Sequence, residues 1–196
     1  MRRSKLERAA LRVARSLGEG NCLLVGGLAV AAHGYVRATT DVDFVTRLPL
    51  AEASALLKGH GIAAELRRGD VLEGDFPCIL ATVDGARVDV MPPLVALDWE
   101  RAIEIPLDRG ARLLVVDLAG LIRLKLRAGG PKDLMDVAAL VLQHPEHLGR
   151  ARELATAYRA ADRLETWLKD PRMKREALQG APPKPVRRGA RGRRPV

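Results

Sequence analysis

The sequence predicts an α+β fold, in which helices flank a mixed β-sheet and a helical C-terminal part follows, ending in a disordered basic tail. Through residue 116, short apolar runs alternate with amphipathic helical patterns and are separated by glycines and prolines. Asp84-Gly85, between two such runs, is a hairpin signal that favours an antiparallel pair within the sheet. From Asp117 onward the apolar residues recur at helical spacing.

The elements of the sheet-containing part follow from apolar periodicity and from residues that start or stop helices. Gly59 and Gly61 end a helix that begins near Pro49. Helices are predicted at about residues 4–17, 28–35, 49–58 and 95–101. Strands are predicted to end at Val25 and to cover about residues 41–46, 62–66, 78–83, 87–91, 103–107 and 112–116.

Helices alone are expected in the C-terminal part. Asp117 is a typical N-cap residue, and Pro131 suits the first turn of a helix after Gly129-Gly130. The predicted helices cover residues 117–127, 131–142 and 148–169. The expected division of the chain is 1–116 for the core, 117–170 for the helical part and 171–196 for the tail.

Length and composition favour a small globular protein. The chain has 196 residues, of which 47% are hydrophobic, enough to build a core. Cys22 and Cys78 each lie in an apolar run, so we expect buried thiols and no disulfide scaffold. No stretch reaches the roughly 18–20 apolar residues of a membrane span. No signal-peptide pattern is visible, so a cytoplasmic location without membrane contact is expected.

Basic residues are concentrated at the ends of the chain. The formal net charge is +9, and residues 171–196 hold nine basic side chains and one acidic side chain. The segment from Gly180 to Val196 has almost no apolar surface to bury and is expected to be disordered. It is interpreted either as an electrostatic arm for RNA or DNA or as a solubilising tail without a partner. Aromatic residues, at 3%, are too few for base-stacking platforms.

Three aspartates are the candidate catalytic and metal-binding residues. Asp41 and Asp43 are two positions apart in a predicted strand, so both side chains project from one face. Asp89 is the single acid of another alternating run and joins them if that strand lies alongside. Such like charges are best explained by a shared divalent cation, and carboxylate oxygens suit Mg²⁺. Three carboxylates can hold two such ions, one at the attacking oxygen and one at the leaving group.

Glycines and cations complete the candidate substrate site. Gly26 and Gly27 leave room for a phosphate at the N-terminus of the following helix, whose dipole favours an anion. Lys125 and Lys132 are candidates to bind a triphosphate, and the alternative for each is a solvated helix face. Arg37 is a candidate to contact substrate phosphate or to pair with the acid cluster.

At these residues the chain resembles the polymerase-beta-type nucleotidyltransferase superfamily. Its signature is an apolar residue, Gly-Gly or Gly-Ser, a spacer, an Asp-x-Asp strand and a later single Asp, and it matches about residues 22–91. The stretches 26–43 and 125–136 are further similar to the AbiEii-like, type IV toxin-related branch. Within the second stretch, Asp136 is expected to orient Lys132 from one helix turn away.

The resemblance implies a nucleotidyltransferase-type sheet and transfer of a nucleoside monophosphate from a nucleoside triphosphate (NTP), with Mg²⁺ as cofactor. The branch implies RNA or a tRNA end as the acceptor, and a toxin role with a cognate antitoxin protein as partner. Two alternatives stay open: a nucleotidyltransferase for a small molecule or protein, and a non-catalytic nucleic-acid-binding or antitoxin-like protein on the same fold. Clustered like charges weigh against the second, because a binding module gains nothing from them.

Overall fold

A seven-stranded mixed β-sheet forms the centre of the computed structural model, which describes residues 4–69, 76–106 and 112–179. The strands are β1 (Cys22–Val25), β2 (Asp41–Thr46), β3 (Ala63–Arg67), β4 (Cys78–Val83), β5 (Ala86–Met91), β6 (Ile103–Pro106) and β7 (Arg112–Val115). Their order across the sheet is β3-β4-β5-β2-β1-β7-β6.

Parallel and antiparallel pairs both occur in the sheet. β2 is parallel to β5 and β1 is parallel to β7, whereas β1 and β2 are antiparallel to each other. Asp84 and Gly85 close the antiparallel β4–β5 hairpin with φ angles of 50° and 75°, as a tight primed turn requires. The predicted mixed sheet in an α+β fold is therefore confirmed.

Helices cover the sheet and form the C-terminal part. They are α1 (Lys5–Leu17), α2 (Gly26–Ala32), α3 (Leu50–Gly59), α4 (Leu118–Ala128), α5 (Pro131–Gln143), α6 (Leu148–Ala157), α7 (Ala161–Lys169) and α8 (Pro171–Gln179). Ser4 and Glu7 form a capping box at the start of α1. The Asp117 carboxylate caps α4 by accepting from the Gly120 N–H at 3.1 Å.

The two faces of the sheet differ because side chains alternate along each strand. Val42 and Phe44 of β2, with Val88 and Val90 of β5, are 0% exposed. α1 packs on these two strands. Full burial of side chains of this size stabilises the fold by about 1.5–3 kcal/mol each. The residues between these positions, among them Asp41, Asp43 and Asp89, lie on the opposite face, which carries the candidate site.

α5 lies at the centre of the C-terminal helices and contacts α4, α6, α7 and α8. Leu134, Val137 and Leu140 of α5 are at most 1% exposed. Gln143, at the end of α5, donates from Nε2 to the Ala177 carbonyl of α8 at 2.7 Å. The helical part thus has an apolar centre of its own, and α2, which contacts α4 as well as β1 and β2, connects it to the sheet.

Two predicted helices are wrong in detail. Residues 95–101 form bends and a turn, since Asp98 accepts hydrogen bonds from the backbone N–H groups of Glu100 and Arg101 and stabilises a local turn. The single helix predicted over 148–169 is two helices, α6 and α7. The break between them includes Arg159, whose φ is 55°. Periodicity did not reveal this break because both helices keep apolar residues at helical spacing.

The structure also differs from the prediction at residues 171–179, which were assigned to the disordered tail. They form α8, in which Met173 and Ala177, four positions apart, are 3% and 0% exposed. With this buried side α8 packs on α5 and α7. Residues 180–196, predicted to be disordered, lie outside the described residues, as does Leu107 at the end of a predicted strand.

None of the helices in the described ranges is long and apolar enough to cross a membrane. Cys22 and Cys78 form no disulfide with each other. Cys22 is 4% exposed, and burial raises the pKa of its thiol to about 12, whereas Cys78 is half-buried.

Candidate functional site

The three predicted aspartates lie on one face of the sheet, on two neighbouring strands. β2 carries Asp41 and Asp43, and in the parallel β2–β5 register Asp43 is directly opposite Asp89. Asp41 is opposite Arg87 in the same register. The condition on which the prediction for Asp89 depended, that its strand lies beside β2, is therefore met.

Asp43 has a perturbed pKa. Burial, followed by the negative charges of Asp41 and Asp89, raises the pKa of its carboxyl from 3.8 to about 6. The positive charges of Lys125 and Arg87 act in the opposite direction. A cation bound at this cluster would relieve the repulsion among the three carboxylates, so the electrostatics favour one.

Two neighbouring side chains hydrogen-bond the other aspartates. The Thr39 hydroxyl donates to Asp41 Oδ1 at 2.9 Å. The Arg87 guanidinium donates from Nε to Asp89 Oδ1 at 2.9 Å and from Nη2 to Oδ2 at 2.7 Å. Arg87 is 64% exposed and Asp89 15% exposed, so this fork lies at the edge of the site. Sequence reasoning assigned no role to Arg87, although its position two residues before Asp89 predicts the shared face.

Gly26 and Gly27 leave room for side chains of the site itself. A Cβ on Gly26 would lie 1.8 Å from Asp43 Oδ2, and one on Gly27 would lie 2.6 Å from Thr39 Oγ1. Gly26 also has a φ of 65°, which favours glycine. α2 begins at Gly26, two residues earlier than predicted. The double glycine therefore has a structural reason that the sequence did not reveal, namely the close approach of Asp43 and Thr39.

The donor set fits Mg²⁺ when substrate oxygens complete it. Mg²⁺ is usually held by one or two carboxylates together with phosphates, and Asp41 and Asp43 provide such a pair on one face. In the part of the chain that the structure describes, no group of three His, Cys, Asp or Glu side chains meets the geometry of a metal site. Asp89 accepts hydrogen bonds from Arg87 through both oxygens, and each oxygen keeps a lone pair with which it could act as a third ligand.

A buried ionic network lies next to the carboxylates and joins the segment before β2 to α4 and α5. The Asp136 side chain is 0% exposed and accepts from both Nε and Nη2 of Arg37, the latter at 2.6 Å. Its Oδ2 is also 3.0 Å from Lys125 Nζ. Lys125 donates to Asp133 Oδ1 at 2.7 Å. Arg37 and Asp136 are 99 positions apart, so a single sequence contained no signal for their pairing.

The three predicted cations occupy different positions. Lys125 lines a cleft of about 250 Å³ together with Gly26 and Asp43. Arg37 lies beside the glycine turn, but Asp136 binds its guanidinium. Lys132 is exposed in the first turn of α5. Asp136, which was expected to orient Lys132, instead hydrogen-bonds Arg37 and pairs with Lys125.

Apolar side chains form most of the wall of this cleft. They come from the end of β5, the segment after it and α4: Met91, Leu94, Leu121 and Leu124. The cleft therefore places apolar surface, a lysine and the Asp43 carboxylate side by side. His33, by contrast, is structural, since it is 7% exposed and donates from Nε2 to the Val116 carbonyl at 2.8 Å.

Solved structures with a similar fold include nucleotidyltransferases. ANT(2'')-Ia in complex with adenylyl-2''-tobramycin matches with a TM-score of 0.52 at 15% identity, over 79% of this chain and 95% of that one. An antigenic nucleotidyltransferase-like protein from Paracoccidioides brasiliensis matches with a TM-score of 0.47 at 16% identity, over 84% and 92% of the two chains. A tRNA nucleotidyltransferase complexed with a primer tRNA and an incoming ATP analog has a TM-score of 0.39 at 15% identity, over 87% of this chain and 58% of that one.

No protein-family model and no curated protein matches the chain. At 15% identity the match to ANT(2'')-Ia shows the fold alone. The chain therefore has a nucleotidyltransferase fold, as the resemblance to the polymerase-beta-type superfamily implied. The AbiEii-like branch and the roles of the individual site residues stay predictions.

Proposed function

We propose that the protein is a nucleotidyltransferase that moves a nucleoside monophosphate from an NTP to an acceptor hydroxyl, with Mg²⁺ as cofactor. The observation that carries this proposal is the β2–β5 register, in which Asp43 is opposite Asp89 and next to Asp41 on one face. A fold hosts many functions, so the argument depends on these residues. Three carboxylates clustered against their mutual repulsion are explained by a cationic cofactor.

In the proposed reaction the acceptor oxygen attacks the α-phosphorus of the NTP. A P–O bond forms there as the bond from the α-phosphorus to the oxygen bridging the β-phosphorus breaks. Pyrophosphate leaves with the electron pair of that bond, and the acceptor proton passes to Asp89. Asp41, Asp43 and Asp89 would hold Mg²⁺, which would supply Lewis-acid activation of the acceptor and charge stabilisation of the leaving group.

We assign the triphosphate to Lys125 and to the turn at Gly26 and Gly27. The Lys125 ammonium lines the cleft beside Asp43, and Asp133 and Asp136 fix its position there. A compact cation suits oxygens whose charge changes during transfer.

Arg37 and Lys132 stay candidates for the same anion. Arg37 is paired with Asp136 beside the glycine turn, and Lys132 is exposed in the first turn of α5.

We propose RNA, such as a tRNA end, as the acceptor, and a toxin role with a cognate antitoxin protein. Both rest on the similarity of residues 26–43 and 125–136 to the AbiEii-like branch. A small hydroxyl compound is the second candidate acceptor. It is favoured by the fold match to ANT(2'')-Ia, a protein whose structure holds adenylyl-2''-tobramycin.

Label transfer tests the proposal. The protein is incubated with each labelled NTP and with total RNA, protein or small hydroxyl compounds, with and without Mg²⁺. We expect Mg²⁺-dependent label in RNA and none with Asp43→Asn. Label in small compounds alone selects the second candidate, and no transfer from any NTP to any acceptor overturns the enzyme proposal. Growth arrest on expression that Asp43→Asn abolishes supports the toxin role, whereas normal growth contradicts it.

A further inference from the structure

A row of exposed cations follows one side of α1, the helix that covers the sheet face opposite the carboxylates. The basic row consists of Lys5, Arg8, Arg12 and Arg15, spaced three or four positions apart. It covers about 15 Å of helix. Like charges at these spacings destabilise a helix, and cations near its N-terminus oppose its dipole. Helix stability therefore does not explain the basic row.

Three arginines of the row line an open cavity between α1 and the end of α3. The cavity measures about 570 Å³, and its wall includes Arg8, Arg12, Arg15 and His60. No acidic side chain of the described residues lines it. The cavity is therefore a concave surface on which three guanidinium groups converge.

The acids close to the basic row leave much of its charge available. Glu7, the one acid of α1, belongs to the capping box at the helix start. Asp84 accepts from Arg12 at 3.2 Å, and because both side chains are more than 40% exposed, water weakens this pair. The Arg15 side chain has no hydrogen bond or ion pair within the described part of the chain. A positive surface of this kind attracts an anion.

The composition of the surface favours nucleic acid over an acidic protein. Leu11 is the single apolar side chain in the cavity wall among the described residues, and it is only 7% exposed. A protein interface needs apolar or aromatic side chains at its centre, whereas an interface with nucleic acid is polar and strongly positive. Guanidinium groups also bind phosphate in two-point geometry.

The same wall favours a double helix over a single strand. No aromatic side chain of the described residues lines the cavity, so the bases of a single strand have no ring on which to stack. An RNA double helix presents its phosphates without requiring base contacts. A row of cations along one helix suits such a backbone.

The basic row is also connected to the candidate active site around one end of the sheet. Arg12 contacts Asp84 in the turn from which β5 starts. Asp89 follows in β5, and the chain from Asp84 to Asp89 spans at most about 18 Å. A single-stranded end that extends from a stem on α1 can therefore pass this turn and reach the carboxylates.

We propose that the basic row binds the backbone of an RNA double helix, away from the reacting end. The inference goes beyond the proposed function and rests on it only for the choice of RNA over DNA. A structured acceptor is then held by its stem on α1 while its single-stranded end reaches the carboxylates on the other face.

The salt dependence of RNA binding tests the proposal, because it counts phosphate contacts. A fluorescent RNA hairpin without a single-stranded end is titrated with the full chain in metal-free buffer at several salt concentrations. Loss of one contact to double-helical DNA lowers the slope of log K against log salt by about 0.9, and we expect a similar change for Arg15→Gln. The triple variant Arg8→Gln, Arg12→Gln, Arg15→Gln should lower the slope by about 2.7.

Arg150→Gln is the matched control, because Arg150 is an exposed arginine of another helix, α6. It should leave the slope unchanged. The melting temperature of every variant is measured, since Arg12→Gln also removes the contact with Asp84. Arg15→Gln removes no side-chain hydrogen bond of the described structure, so it tests the proposal even if the triple variant unfolds.

The outcomes separate the possible partners of the basic row. Equal slopes for Arg15→Gln and Arg150→Gln overturn the proposal, and so does binding of poly-glutamate as tight as that of the RNA hairpin. Tighter binding of the same hairpin made of DNA contradicts the choice of RNA. Equal binding of the two hairpins, with the slope lowered by Arg15→Gln, supports a site for the phosphate backbone.

A second measurement separates this inference from the proposed function. In the label-transfer reaction, the triple variant should raise the KM for an RNA acceptor that has a stem. It should leave the KM for the NTP and for a short single-stranded acceptor near the wild-type values. An unchanged KM for the acceptor with a stem contradicts the role of the basic row and leaves the transferase intact. Absence of wild-type transfer, together with a lower slope for Arg15→Gln than for Arg150→Gln, contradicts the transferase and retains the RNA-binding row.

Discussion

The Asp43 carboxylate lies against the Gly26 backbone and opposite Asp89, where its pKa is raised from 3.8 to about 6. The folded state therefore holds this proton more tightly than the unfolded chain does. The resulting stabilisation is complete below pH 3.8 and is lost as the pH rises through about 6. At neutral pH the ionised side chain lowers the stability of the metal-free protein.

Asp43→Asn should therefore stabilise the metal-free protein at neutral pH, by up to about 3 kcal/mol, the equivalent of the pKa shift. The gain over the wild type should shrink as the pH falls and vanish below pH 3.8. Urea denaturation in chelator at several pH values measures this difference. A variant that is less stable than the wild type at neutral pH would show that the carboxylate contributes to folding.

Ligand binding should reverse the order of stability, so that the wild type becomes more stable than Asp43→Asn. Mg²⁺ with NTP should stabilise the wild type by about 2.7 kcal/mol at a hundredfold excess over the dissociation constant. Asp43→Asn should gain much less, because the metal loses a carboxylate ligand. Thermal unfolding with and without Mg²⁺ and a non-hydrolysable NTP measures both gains, and equal gains would argue against Asp43 as a metal ligand.

The effect of a side chain at Gly26 can be compared with the effect of one at Gly20, which serves as the matched control. Gly26→Ala places a Cβ 1.8 Å from Asp43 Oδ2, whereas a Cβ on Gly20 would have no heavy atom within 4 Å. Both glycines have positive φ, 65° and 79°, so each alanine costs about 1–2 kcal/mol of backbone strain. Gly26→Ala should cost more in urea denaturation and abolish transfer, while Gly20→Ala should retain transfer. Full activity of Gly26→Ala would contradict the observed packing.

At the scale of elements, Asp136 joins three segments: the chain before β2 through Arg37, α4 through Lys125, and its own helix α5. Its side chain is 0% exposed. Removing the charge of Asp136 leaves two partly buried cations, Arg37 and Lys125, without one of their carboxylate partners. Breaking a buried ion pair by removing one partner typically costs 3–5 kcal/mol.

Asp136→Asn should accordingly destabilise the protein by roughly 3 kcal/mol or more in urea denaturation. Glu153→Gln is the control, because it removes a carboxylate from the exposed Arg150–Glu153 pair and should cost under about 1 kcal/mol. Similar losses in the two variants would mean that Asp136 does not hold these segments together.

At the scale of the whole molecule, the net charge of +9 is unevenly distributed, and the last 17 residues contribute six basic side chains and no acid. Deletion of Gly180–Val196 should weaken RNA affinity and flatten its dependence on salt. With fewer cations on the protein, RNA binding releases fewer counterions. The melting temperature should stay nearly constant, because the expected disordered arm contributes little to folding. Binding assays at two salt concentrations and thermal unfolding measure these effects.

Two outcomes would contradict this prediction. Unchanged binding at both salt concentrations would favour a solubilising tail. A fall in melting temperature by many degrees would show that the segment packs on the body of the protein.

Local chemistry determined much of this fold. Some structural signals depend only on residues close together in the chain, so the sequence contains them in full. Examples are the alternation in Ala86–Met91, the turn at Asp84-Gly85 and the helix caps Ser4 and Asp117. The shared face of Asp41 and Asp43 is equally local, because it depends on the two-residue period of one strand. The sequence by itself therefore determined most of the element types, the mixed sheet and two of the three clustered carboxylates.

The tertiary structure decided the contacts between distant segments. It placed β5 parallel to β2, which aligns Asp43 with Asp89, and brought Asp136 to Arg37 across 99 positions. It also decided that Lys125 lines a cleft with Asp43 and that the last long predicted helix is interrupted at Arg159. Burial and ion pairing between remote segments depend on how whole elements pack, and no period or spacing within one element encodes that packing.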